Sequence, residues 1–367
     1  MMNDYPRIRS LLVCVSCLWI VSVEAFCIVP RQKASGFWNL GGVADQPGLD
    51  SGIDSLANFT IEYTGIKRDL SYAADGDPIP LAKEIALLEA RVLVKRGEYG
   101  LLGDARVEQI QDKCEELGMT LSQGLLIRNQ LMVTKVVRNT WKLEKQFDSI
   151  NNRFSNKERT ILQLSRELDL PPVAIVRSIL TKRVFEAYPE LRLSDKKKMV
   201  KTIISDQNEE PMDRFLSDWE LKQLQIAKQN DKVSFTDVAS EVRSSLWEDA
   251  LYAFLDQLGV SYLTEEQLRA AGMRITPDCL LLDDCTLNGQ RVRWIDAKAF
   301  YGCGLKQNYH FAKKLKKQIA KYEQEYGESG AVIFKHNYSK EMGRKFSSTL
   351  FLDGGPLLAL EPEYVEE

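Results

Sequence analysis

Asp296 and Lys298 stand two residues apart in "RVRWIDAK" (291–298). On a β-strand that spacing puts both side chains on one face, while Ile295 and Ala297 point the other way. Asn288-Gly289 separates this run from "ITPDCLLL" (275–282) and predicts a two-residue hairpin, because both residues accept positive φ. Antiparallel pairing then brings Asp278, at the outer start of the first strand, to Asp296, at the outer end of the second. Two carboxylates and an ammonium at one end of a hairpin, with Glu248 on the preceding helix, are what an oxygen-liganded divalent ion and an activated water require.

The acidic-x-Lys pattern alone is weak, since Asp195-Lys196-Lys197 and Glu220-Leu221-Lys222 also satisfy it. Those copies fall on helical or loop segments, where the spacing gives no shared face with a second acid. Bland alternatives exist for each residue: Glu248 as a first-turn acid favoured by the helix dipole, and Lys298 as a surface partner of Asp296. Asp283 and Asp284 are read as solvated acids of the hairpin turn.

The elements that must position this set follow from periodicity. "SSLWEDALYAFLDQLGV" (244–260) carries Trp247, Leu251, Phe254, Leu255 and Leu258 on a broad apolar face and stops at Gly259. "LKQNYHFAKKLKKQIAKYEQEYG" (305–327) reads as a basic helix bearing Lys306, Lys313, Lys314, Lys316, Lys317 and Lys321, with Gln318 and Tyr322 one turn apart. "GAVIFKHNY" (330–338) reads as a buried strand. Helix, hairpin, basic helix and strand give the order α-β-β-α-β.

Taken together, Glu248, Thr276-Pro277-Asp278, Asp296-Ala297-Lys298 and Gln318-x-x-x-Tyr322 resemble the PD-(D/E)xK nuclease superfamily. The Thr-Pro-Asp form, with "WEDAL" and a paired helical region before it, is similar to the codanin-1-interacting nuclease family. The resemblance implies an α+β fold with a restriction-endonuclease-like core. It implies a nuclease hydrolysing phosphodiester bonds in DNA or RNA with Mg²⁺ or Mn²⁺. Asp278 and Asp296 would ligate the ion, the Ala297 carbonyl would help hold it, and Glu248 would orient a water. Lys298 would orient that water or stabilise charge on the phosphate. Gln318, Tyr322, Lys313, Lys314, Lys317 and Lys321 would position nucleic acid, and a codanin-like protein is the implied partner.

The totals bound these readings. A net charge of −3 with 28% charged residues excludes an indiscriminate nucleic-acid coat, so any such contact is local. Seven scattered cysteines make a poor disulfide framework, and two histidines leave carboxylates and lysines as the available chemistry.

Along the chain, residues 1–35 look like a signal or transit presequence, with an apolar run (11–23) too short to span a bilayer comfortably. That presequence implies a plastid or secretory route, whereas the family resemblance implies nucleus and cytoplasm. Residues 36–80 read as a disordered linker, 81–235 as a helical module, 240–355 as the nuclease-like domain and 356–367 as an acidic tail. Within the module, "ERTILQLSRELDLPPVAIVRSILTKRV" (158–184) has helix-turn-helix spacing with Pro172 suited to a helix start, and 110–137 repeats the outline. Arg177, Lys182 and Arg183 on its second helix would meet phosphates if that unit binds nucleic acid. Two other functions remain open at this level: a catalytically inactive nuclease-fold scaffold, and a helix-turn-helix regulator.

Overall fold

The computed structural model describes residues 60–205, 215–234, 238–327 and 329–363, so the presequence reading falls outside the described residues. In chain order these residues form β1 (Lys67–Leu70), α1 (Leu81–Glu89), α2 (Asp104–Glu116), α3 (Leu121–Lys145), α4 (Phe147–Ser155) and α5 (Ile161–Leu168). Then come α6 (Pro172–Ala187), α7 (Leu193–Ser205), α8 (Asp218–Gln229), α9 (Val238–Gln257), β2 (Tyr262–Thr264) and α10 (Glu265–Ala270). The chain continues through β3 (Cys279–Leu287), β4 (Gln290–Lys298), α11 (Tyr309–Tyr326), β5 (Gly330–Phe334), α12 (Lys340–Lys345) and β6 (Thr349–Leu352).

Asn288 and Gly289 adopt φ of 50° and 77° and close the β3–β4 hairpin, with Cys279 opposite Ile295 at its far end. β5 adds parallel to β4, and β6 parallel to β5. The other edge of β3 is shared: β2 pairs antiparallel at its start and β1 parallel at its end. The mixed α and β architecture matches the expected class. Alternation along β4 splits the core into two layers. Ile295 and Ala297 pack with Trp247, Leu251 and Leu255 of α9, whereas Trp294 packs with Leu315, Ile319 and Tyr322 of α11.

Three expectations need correcting. Residues 60–80 are not all linker, because β1 completes the sheet and Arg68 reaches buried Asp283 at 3.0 Å. Asp283 and Asp284 belong to β3 and not to the turn; Asp283 is buried on Thr64, Arg68 and the Ser261 N–H, and Asp284 pairs with Arg291. Residues 356–363 are more than an acidic tail: Leu357 is buried in the α9 layer and Glu361 pairs with Lys335.

The helical region starts where its caps are. Thr120 caps α3 and Thr160 caps α5 through reciprocal capping boxes with Gln123 and Gln163. Asp169 takes the left-handed conformation after α5, and Pro172 opens α6 at its first turn. The α6 cations have partners within the chain. Arg177 donates to the Ser234 carbonyl at 2.9 Å, Arg183 pairs with Glu220 at 2.8 Å, and Lys182 pairs with Asp148 at 3.1 Å. Arg177 and Arg183 are therefore held by the fold and not offered to phosphates as the sequence suggested, while the Lys182–Asp148 pair lies at the surface.

The helices join the sheet through buried polar contacts after β4. Glu84 of α1 accepts from the Tyr301 hydroxyl at 2.7 Å, the Gly304 N–H at 3.1 Å and the Ser339 hydroxyl at 2.9 Å. Gln130 of α3 donates to the Tyr301 carbonyl at 2.6 Å. Burial pushes the Glu84 carboxyl above its usual range, against the pull of those donors. Among the described residues no helix is long and apolar enough to cross a membrane.

Candidate active site at the ends of β3 and β4

Pro277 limits the backbone just before Asp278, and β3 begins at the next residue. Asp278 is thereby left at the strand mouth, where its Oδ2 accepts the Ala297 N–H at 2.6 Å. Asp296 lies two residues before the end of β4 and is 1% exposed. Lys298, on the same face, sets its Nζ 2.5 Å from Asp296 Oδ2. The hairpin register read from the sequence thus does bring Asp278, Asp296, Ala297 and Lys298 together, with Ala297 entering through its N–H.

α11 closes the site from one side. The Tyr322 hydroxyl lies 3.3 Å from Asp296 Oδ1 and 3.3 Å from the Thr276 carbonyl, and Gln318 Nε2 donates to that hydroxyl at 2.7 Å. The direct Gln318 to Asp296 contact is long, 3.5 Å. Both residues bear on Asp296 in this arrangement.

Glu248 enters from α9, half-buried, and feels the charges of Lys298 and Asp296. Facing it is a residue the sequence reading passed over, Glu265, at the first turn of α10. Thr264 and Gln267 form a capping box there, so the sequence signal around Glu265 is one of helix initiation and hides any other use.

The electrostatics follow from four acids around one ammonium. Burial and the facing Glu265 push the Glu248 carboxyl up to about 7. Burial and then Asp296 hold Asp278 well above the usual carboxylate range, and burial raises Glu265 too. Lys298 is pulled down by burial, but Asp296 and Asp278 outweigh that and leave it above an ordinary lysine. The cluster has more negative charge than one lysine offsets, which favours a proton or a further cation. Its hard oxygen donors suit Mg²⁺ or Mn²⁺. Among the described residues, however, no three acidic, histidine or cysteine side chains converge closely enough to hold an ion.

The predicted lysines lie beside this site on α11. Lys313, Lys314, Lys317 and Lys321 are exposed. Helical spacing puts Lys314 and Lys321 on the Gln318 flank, with Lys317 next and Lys313 further round.

Residues 216–353 match the family described as "Protein of unknown function TPD sequence-motif", a span that contains every candidate site residue. The chain is also similar to CDAN1-interacting nuclease 1 of Danio rerio, 32% identical over 110 residues. That stretch is 30% of this chain and 35% of the fish protein, so the chain spans about a third of the curated relative it matches. No solved structure matches.

Proposed function

We infer that this chain is a divalent-metal-dependent nuclease of PD-(D/E)xK type, hydrolysing phosphodiester bonds in nucleic acid at the mouth of β3 and β4. The observation that supports it most is Asp278 beside Asp296 at the shared end of an antiparallel pair, with Lys298 on Asp296 and Tyr322 behind it. Mutually repelling carboxylates are costly to bury, and a scaffold has no physical need of them. The name of the fish relative points the same way.

In this reading Asp278, Asp296 and Glu248 would hold Mg²⁺ or Mn²⁺, which when bound would supply Lewis-acid polarisation of a phosphate oxygen. Lys298 would stabilise the negative charge that develops on the phosphate. Glu248 would also orient the attacking water beside the ion. Tyr322 and Gln318 would fix the rotamer of Asp296, and Lys314, Lys317 and Lys321 would hold the substrate backbone near the cleft. By the name of its relative, a codanin-like protein is part of the proposal as a partner.

The second reading is a nuclease-fold scaffold that binds nucleic acid or protein. It draws on the absence of three convergent ligands among the described residues and on the closeness of the Lys298–Asp296 pair.

The deciding experiment is cleavage of labelled single- and double-stranded DNA and RNA by the full chain, with Mg²⁺, with Mn²⁺ and with chelator, beside Asp296→Ala and Lys298→Ala. The nuclease reading expects metal-dependent cutting that both variants lose. Binding without cutting, the same in all three proteins, would leave the scaffold.

A further inference from the structure

The second half of α3 carries a basic face that the catalytic reading does not use. Arg138, Trp141, Lys142 and Lys145 are three, four and seven residues apart, which places them on one side of the helix. Trp141 is 54% exposed. Among the described residues no carboxylate forms an ion pair with Arg138, Lys142 or Lys145, although Glu144 borders the face on the Trp141 side.

This face is continuous with α11. The Arg138 guanidinium lies over the Tyr309 ring, 5.0 Å from its centroid, and Tyr309 is itself 43% exposed. From Tyr309, Lys313 and Lys317 follow at successive turns and lead to the residue beside Gln318. Nine residues of α11 and seven of α3 make a path of roughly 25 Å from the cleft to Lys145.

A row of cations spaced by helical turns suits a phosphodiester backbone, and exposed aromatic faces between them suit bases that are free to stack. A duplex offers phosphates but no open base faces, so Trp141 and Tyr309 favour a single strand. The overall charge of −3 makes this a local feature and not a consequence of composition.

We propose that single-stranded nucleic acid leaving the cleft at Gln318 runs along Lys317, Lys313 and Tyr309 and onto the Arg138–Lys145 face of α3, stacking a base on Trp141. The inference rests on the nuclease reading for what occupies the cleft, and deepens it by naming the form of the substrate.

The test is binding of fluorescein-labelled 20-nucleotide single strands of dT and U, and of a duplex of equal length, to the full chain in chelator, where cutting plays no part. Fluorescence anisotropy should show the single strands held more tightly than the duplex. The combined variant Arg138→Glu, Lys142→Glu, Lys145→Glu should bind them at least about tenfold more weakly, with a shallower salt dependence and an unchanged melting curve. Trp141→Ala should lose about tenfold and Trp141→Phe should recover most of it. Equal affinity for duplex, or wild-type binding by the triple variant, would overturn the proposal and leave the face to a protein partner. If the wild type binds through this face yet never cuts with Mg²⁺ or Mn²⁺, the nuclease reading falls while the strand path stands. If it cuts, and the triple variant binds and cuts equally well, the path falls alone.

Discussion

Thr276 donates its hydroxyl to Glu265 Oε1 across 3.1 Å, while the Glu265 backbone N–H donates to the Asp278 carbonyl at 3.2 Å. One residue of α10 therefore clasps the Thr276-Pro277-Asp278 segment at both ends, and Tyr322 approaches it from α11. Asp278 has no strand neighbour on its N-terminal side to fix it, so these contacts place its backbone while the Ala297 N–H holds its carboxylate.

Thr276→Val removes the side-chain half of the clasp while keeping the shape of the side chain. The expected loss of stability is about 0.5–1.5 kcal/mol, the net value of one hydrogen bond, read by urea denaturation. On the nuclease reading, kcat should fall about tenfold at nearly constant KM, as expected when a group is mispositioned by a fraction of an ångström. Thr276→Ser restores the hydroxyl and should restore both quantities. A Ser variant as poor as Val would mean that the methyl packing of Thr276 matters and the clasp does not.

Glu248 makes the site sensitive to pH. Its carboxyl is raised by burial and by Glu265 to about 7, so the folded chain binds that proton more tightly than the unfolded chain does. The stability this contributes is complete below the ordinary value of 4.5 and is lost as pH rises through about 7. Asp278 and Glu265, both raised chiefly by burial, act in the same direction. In chelator, Tm should fall between pH 5 and pH 7.5, and Glu248→Gln should flatten part of that fall. With Mn²⁺ present the trend should oppose this, because ligands must lose protons to bind, and the Mn²⁺-induced rise in Tm should grow with pH. A Mn²⁺ effect independent of pH would remove these carboxyls from the binding site.

Lys298→Met isolates the role of the ammonium. It leaves Asp296 and Asp278 buried without their cation, and removal of one partner from a buried pair typically costs about 3–5 kcal/mol. In chelator the variant should melt well below wild type. Saturating Mn²⁺ should raise its Tm by more than it raises that of wild type, since an added cation takes over the neutralisation. Calorimetry with and without Mn²⁺ reads both quantities; an increment no larger than that of wild type would show that Mn²⁺ does not reach Asp296.

Much of the site was legible because it depends on local rules. Asn288-Gly289 sets the hairpin and period-two alternation sets which face Asp296 and Lys298 share, so sequence alone places them with Asp278. Gln318 and Tyr322 were legible as a helical pair, but their engagement of Asp296 depends on how α11 lies across the sheet. Glu265 was hidden by a capping box that already explains it. Arg177 and Arg183 looked like phosphate ligands because charge on a helix says nothing of its partners, and Ser234 and Glu220 come from elements far along the chain. β1 was missed for a similar reason. Four residues, "KRDL", carry no period, and only the open edge of β3, more than 200 residues away, makes them a strand.

That strand makes residues before Leu81 part of the sheet. Cutting the chain before Leu81 would remove β1 together with Thr64 and Arg68, which bond the buried Asp283 at the edge of β3. Asp283 would keep the Ser261 N–H and lose its cation, and the β3 edge beside Asp284–Leu287 would be left unpaired. An unpartnered buried carboxylate costs about 3–5 kcal/mol, and an open apolar strand edge invites association. Residues 81–367 should therefore express poorly and sediment as aggregates, whereas residues 60–367 should remain monodisperse. Arg68→Ala in the full chain separates the two effects: it keeps the edge covered and should lower Tm without aggregation. Analytical ultracentrifugation beside thermal melts reads the difference. A soluble 81–367 protein melting like the full chain would show that β1 is dispensable to the sheet.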